Sequence, residues 1–147
     1  MPYFFGTYGP VPVDPKGRII LPRKIRGSLP PEAGENCVLA VWMDECLAVF
    51  DPQTWRDMIS RIQAKASVSD PGNRQFIRLL SANAEEGKLD TQGRLTISKN
   101  LQDKAHITDR ALVIVNVDHA EIWDPDRYRE QTSVLNLSDI AAQTDLI

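Results

Sequence analysis

The chain has 147 residues, 42% of them hydrophobic and 25% charged, and a formal net charge of −3. That balance excludes a wholly disordered chain, a collagen-like fibre and a disulfide scaffold, and the length fits about one domain or two very small ones. The longest apolar run, residues 37–43, is seven residues long, against the roughly 20 that a membrane-spanning helix needs.

The opening stretch Met1-Pro2-Tyr3-Phe4-Phe5-Gly6 has no basic region, long apolar segment or small-residue cleavage site. No secretory signal is expected, and the expected compartment is the cytoplasm. Asp14-Pro15-Lys16-Gly17-Arg18 reads as a turn, because Asp can hydrogen-bond its own backbone and Gly tolerates a positive φ. Residues 18–21 then read as a strand and residues 22–28 as a short basic helical turn. A hairpin follows, residues 37–43 against 46–50. Asp51 is placed to cap a helix with Pro52 at its first position. The spacing puts Trp55, Ile59, Ile62 and Ala66 on one face of that helix. A second helix is expected from Asp70-Pro71, carrying Phe76, Ile77 and Leu80 and stopping near Gly87.

The same series then recurs. Asp90-Thr91-Gln92-Gly93-Arg94 is a second turn, residues 94–97 a strand and residues 98–104 a helical turn. Residues 111–117 and 120–123 form a second hairpin, and Asp124 caps a helix with Pro125 at its start. Residues 14–25 match residues 90–101 at an offset of 76, with Asp, Gly and Arg identical. Residues 50–57 match residues 123–130 at an offset of 73. Two ordered blocks at nearly one offset mark an internal duplication. Residues 132–147 read either as a frayed tail or as a short helix around Ile140 with Asp139 near its start. A repeat of about 45 residues is close to the lower limit for a self-sufficient core, so the two copies are expected to share one core as an intrachain pseudo-dimer. The helices between them would lie outside it, with apolar faces that suggest a homo-oligomer.

Charge is uneven. Residues 1–30 hold Lys16, Arg18, Arg23, Lys24 and Arg26 against Asp14 alone, while the chain as a whole is acidic. A basic segment of this kind can build a focused patch for a polyanion. A two-stranded ribbon fits the DNA major groove, and an arginine fork can bond a guanine bidentately. Arg18 is the candidate base reader, and Lys16, Arg23, Lys24 and Arg26 are candidate phosphate contacts. The competing role for Arg18 is a pair with Asp14 across the turn, and the two roles coexist if Asp14 orients the guanidinium. Arg94 has fewer basic neighbours, so Asp90, Gly93 and Arg94, like Asp14 and Gly17, are expected to be structural. The first copy would then bind DNA, and the second would complete the core and the oligomer.

Cys37 and Cys46 lie in apolar runs and are expected to be free buried thiols. His106 and His119 sit in no metal motif. No nucleophile–base spacing or phosphate-binding glycine loop points to an enzyme. No metal, cofactor, membrane or small-molecule substrate is expected.

The two Asp-x-x-Gly-Arg strands, each hairpin ending in Asp-Pro, and the segment Arg74-Gln75-Phe76-Ile77-Arg78-Leu79-Leu80 between them together resemble the MraZ family over roughly residues 5–130. The resemblance implies an α+β fold of two tandem swapped-hairpin β-barrel half-units, like those of AbrB and SpoVT. Residues 8–54 and 84–127 would be the repeats, residues 55–83 connecting helices, and residues 128–147 a C-terminal helix or tail. It further implies a bacterial transcriptional regulator of the division and cell-wall gene cluster, often acting on its own promoter. Such a protein would be nucleoid-associated and would bind short G-rich direct repeats of double-stranded DNA as a ring-like homo-oligomer. Two departures stand out. Phe4-Phe5-Gly6 occupies the place where family members commonly have Phe-Arg-Gly, and residues 83–88 lack a cysteine often found there. The alternative is an antitoxin-like or other protein-binding module, using residues 132–147 as its tail. The internal duplication argues against it, because antitoxins with this domain typically carry one copy and dimerise.

Overall fold

Each of the two Asp-led turns launches a short strand, and the two strands pair with each other. The computed structural model describes residues 4–21 and 36–147. The first copy contributes β1 (Phe4–Pro12), β2 (Arg18–Ile20), β3 (Asn36–Val41) and β4 (Leu47–Phe50). Two helices follow, α1 (Pro52–Lys65) and α2 (Pro71–Ala82). The second copy contributes β5 (Ala84–Lys88), β6 (Arg94–Thr96), α3 (Lys99–Lys104), β7 (Arg110–Val117) and β8 (His119–Trp123). The chain closes with α4 (Pro125–Thr132) and α5 (Leu137–Ala142). The fold is therefore α+β, and among the described residues all strand pairs are antiparallel.

Six strands form one sheet in the order β1-β7-β8-β4-β3-β5, and β2 and β6 form a separate ribbon. Each hairpin is bordered by a strand of the other copy: β1 pairs with β7, and β5 pairs with β3. Neither copy completes a sheet alone, which is how two units of about 45 residues reach a workable core. Ile19, Leu21, Leu95 and Ile97 from the ribbon segment are buried with Cys37, Leu39, Leu47, Val113 and Ile122 of the sheet. Leu101 and Ala105, from α3 and its end, join the same cluster.

Local chemistry sets the helix starts as expected. The Asp51 carboxylate accepts from Thr54 N at 2.9 Å and the Asp124 carboxylate from Arg127 N at 3.0 Å, with Pro52 and Pro125 at the first helical positions. Asp70 caps α2 through Gly72 N at 2.8 Å. Ser98 caps α3 through Leu101 N at 3.2 Å. The C-terminal segment forms the short helix α5, capped by Asn136, with Asp139 in its first turn. Cys37 and Cys46 are free and buried, and burial pushes both thiols up to about 12.

One element differs from its expectation. Helix α2 stops at Ala82, where the Asn83 amide bonds Leu79 O, and Gly87 lies inside β5. Gly87 is needed there for space: a Cβ would come within 2.7 Å of Cys37 Sγ and 3.2 Å of Leu39 Cγ. The expected helical turn at residues 22–28 lies outside the described residues.

On α1, Trp55, Ile59, Ile62 and Ala66 are half-buried, and α2 buries only Leu80 while Phe76 and Leu79 stay exposed. Among the described residues, no helix is long and apolar enough to cross a membrane.

Candidate nucleic-acid interface

The two turns are built alike. Asp14 Oδ1 accepts from the amides of Lys16 and Arg18, both at 2.9 Å, and Asp14 Oδ2 accepts from Arg18 Nε at 2.6 Å. Asp90 Oδ1 accepts from the amides of Gln92 and Arg94 at 2.9 Å, and Asp90 Oδ2 accepts from Arg94 Nε at 2.6 Å. The Arg18 amide is the largest cause holding the Asp14 carboxyl below its ordinary value; partial burial opposes it, and the Arg18 guanidinium and Lys16 amide add to it. Asp90 is lowered in the same way, first by the Arg94 amide.

Glycine closes each turn. Gly17 and Gly93 have φ of 78° and 79°, a region that L side chains rarely occupy. Gly17 is also hemmed in, since a Cβ there would collide with the Gln102 side chain and with Ile97 O. Gln102 Nε2 donates to that same Ile97 oxygen at 2.7 Å.

Each turn bonds the strand end of the other copy. Ile97 N donates to Gly17 O at 2.8 Å, and Leu21 N donates to Gly93 O at 3.0 Å. Between these bonds, β2 and β6 pair in the register Arg18↔Thr96, Ile19↔Leu95, Ile20↔Arg94. Strand alternation turns Ile19 and Leu95 inward, where both are buried. Arg18, Ile20, Arg94 and Thr96 form the outer face, with Ile20 58% exposed. Arg18 and Arg94 line one cleft of about 580 Å³, together with Tyr8, Val11 and Ile20.

A guanidinium has five N–H donors, and the carboxylate bond uses only the one on Nε. Among the described residues, no side chain other than Asp14 bonds the Arg18 guanidinium, and none other than Asp90 bonds that of Arg94. Each arginine is thus anchored at Nε and keeps terminal N–H donors that no other described side chain uses, with its side chain 27% exposed for Arg18 and 32% for Arg94. A planar fork held this way can bond guanine or a phosphate bidentately.

The structure therefore brings Asp14, Lys16, Gly17 and Arg18 to one end of the β2–β6 ribbon and Asp90, Gly93 and Arg94 to the other. Lys16 is exposed beside this face, where the second copy has Gln92. Arg23, Lys24 and Arg26 lie outside the described residues. Sequence reasoning missed Ile20, Thr96 and Gln102. The first two were legible as the outward positions of a period-two strand, whereas nothing local in the sequence marks Gln102 as a neighbour of Gly17. Among the described residues, no group of three or more His, Cys, Asp or Glu side chains could hold a metal ion.

Comparison with known proteins gives a consistent result. The family described as "MraZ protein, putative antitoxin-like" matches twice in tandem, over residues 4–79 and 80–147. A "Transcriptional regulator MraZ" of Corynebacterium jeikeium is 38% identical over 130 residues, covering 88% of this chain and 87% of that protein. Its namesake in a Nocardioides species is 39% identical over 131 residues, covering 88% and 86%. That of Corynebacterium urealyticum is 36% identical over 142 residues, covering 97% and 94%.

Proposed function

The chain belongs to the MraZ family, and from that premise we propose that it is a transcriptional regulator that binds double-stranded DNA sequence-specifically. One observation carries the reading: two arginines, each anchored through Nε to an aspartate, share the outer face of a two-stranded ribbon. Arg18 is the base reader and Lys16 a phosphate contact, joined by Arg23, Lys24 and Arg26. Arg94 sits beside Gln92 rather than a lysine and serves mainly to complete the fold.

The interleaving of β1 with β7 and β5 with β3 supports the swapped-hairpin arrangement of two AbrB-like half-units. The exposed Val68, Phe76 and Leu79 of the α1–α2 region support a homo-oligomer, in this reading a ring. A ring sets several weak ribbons along G-rich direct repeats, and effective concentration then multiplies affinity without new contacts. The promoter of the division and cell-wall gene cluster, including the protein's own, is the proposed target, with the nucleoid as its place in the cytoplasm.

The test is fluorescence anisotropy on the DNA upstream of the protein's own gene, with a scrambled duplex beside it. Arg18→Ala, checked for unchanged oligomer size, is expected to lose about 1–3 kcal/mol of preference for the native duplex. Arg94→Ala is expected to lose less of that preference and more stability. Equal binding losses in the two variants, both correctly assembled, would contradict this division of labour.

A second reading has one observation behind it. Val134, Leu135, Leu137, Leu146 and Ile147 are exposed near the C-terminus, as the binding tail of an antitoxin-like module would be. Indifference to DNA sequence in the same titration would favour it.

A further inference from the structure

An isoleucine more than half exposed stands on the ribbon face, directly opposite an arginine. Ile20 is 58% exposed and pairs with Arg94 across the strands, as Arg18 pairs with Thr96. Both of these partners carry a methyl group, and both are β-branched and therefore stiff at χ1. The face is thus a square of two forks and two methyl groups, with each fork beside a methyl. A phosphate backbone offers nothing for an isoleucine to touch. The major-groove edge of a thymine does, through its 5-methyl group, and apolar side chains read thymine in that way.

Resting on the DNA reading above, we propose that Ile20, and Thr96 beside Arg18, are specificity residues that contact thymine methyls next to the guanine bonded by Arg18. Cross-strand neighbours have Cβ atoms about 5 Å apart, and stacked bases are about 3.4 Å apart along one strand. The thymine read by Thr96 therefore lies within one or two steps of the guanine read by Arg18, and the one read by Ile20, two residues along β2 from Arg18, lies about two steps from it. Asp14 and Asp90 offset two of the three charges of Arg18, Arg94 and Lys16, so it is the guanidinium N–H donors left over from those pairs that suit the acceptor-rich groove edge of DNA rather than an apolar protein surface as the occupant.

The experiment starts from a duplex that the full-length wild-type protein selects from a random-sequence pool. Each thymine is then replaced singly by deoxyuridine, which removes only the methyl group. At one or two thymines flanking a guanine, affinity is expected to fall about fourfold, the worth of one buried methyl-sized group. Ile20→Ala is expected to bind the thymine duplex more weakly and to lose the discrimination at one of those positions. Ile20→Val is expected to keep most of it.

If Ile20 only props the Arg94 stem, Ile20→Ala will weaken thymine and uracil duplexes alike, and the proposal falls. It falls too if wild-type protein ignores every uracil, a result that depends on no variant. In both cases the DNA reading survives, provided that a duplex was selected and Arg18→Ala weakens the preference for it. If no duplex is enriched, the DNA reading fails and takes this inference with it.

Discussion

Ile19 and Leu95 face each other across the β2–β6 pairing, and both are buried. They occupy corresponding positions in the two copies, 76 residues apart. The pairs on either side, Arg18↔Thr96 and Ile20↔Arg94, exchange under the same offset. A local two-fold axis therefore passes between Ile19 and Leu95. A second contact obeys the same rule at an offset of 73, where Ala48 faces Glu121 between Leu47↔Ile122 and Val49↔Ala120. The duplicated chain is thus built like a dimer with its subunits joined, and its two halves are expected to unfold together.

Leu95→Ala tests that claim. It removes three carbons from a fully enclosed site and is expected to cost about 2–5 kcal/mol. Unfolding should remain a single transition seen equally by the Trp42 and Trp123 signals, since each hairpin leans on a strand of the other copy. Urea denaturation followed by tryptophan fluorescence and by circular dichroism checks this. Two separated transitions would refute the shared core. Ile19→Ala combined with Leu95→Ala should depart from additivity, because the two residues are directly paired.

The Asp14–Arg18 and Asp90–Arg94 pairs predict a response to acid. Both carboxyls sit below their ordinary value of 3.8, held down first by the backbone amides of their own arginines. A lowered acid contributes stability that is present above the unfolded value and lost as pH falls through the folded one. Wild-type protein should therefore exceed Asp14→Asn in urea midpoint at pH 6, and the gap should close as pH drops below about 3.8. Asp90→Asn should show the same closure, because the two turns share every bond. A gap that stayed constant down to acid pH would mean that the carboxylate charge is not what the turn uses.

Much of this arrangement could be read directly from the residues. The Asp14–Arg18 turn, the Asp51 and Asp124 caps and the hairpins depend on neighbours within a few positions, where side-chain chemistry decides. Strands β1 and β5 could not be read so. Gly6, Gly9, Pro10 and Pro12 interrupt one, and Glu85-Glu86-Gly87 obscures the other. Their hydrogen bonds come from β7 and β3 of the opposite copy, so no local pattern announces them. Gly87 looked like a helix stop because glycine usually is one. Here the closeness of Cys37 Sγ, about fifty positions away in sequence, dictates it. The turn residues of the candidate interface were legible for the same local reason as the caps. The outward square of Arg18, Ile20, Arg94 and Thr96 needed the register, which only the folded chain supplies.

His119 gives the remaining prediction, with the opposite sign. Its ring stacks on Phe50 at 5.0 Å and lies 5.9 Å from Trp42. Nδ1 sits 2.9 Å from Asp118 Oδ1, and Nε2 sits 3.5 Å from Glu121 Oε2, long for a hydrogen bond but within ion-pair range. Burial disfavours the charged ring, but the nearby carboxylates of Glu121 and Asp118 outweigh it and raise the imidazole above its ordinary 6.5. Its stabilising charge is therefore fully present below about 6.5 and lost as pH rises through the raised folded value. Wild-type stability should fall over that interval, while His119→Phe, which keeps a ring against Phe50, should be flat across it. Urea midpoints measured from pH 6 to 9 decide the matter. A wild-type curve that rises with pH would show that burial, not the two carboxylates, governs this histidine.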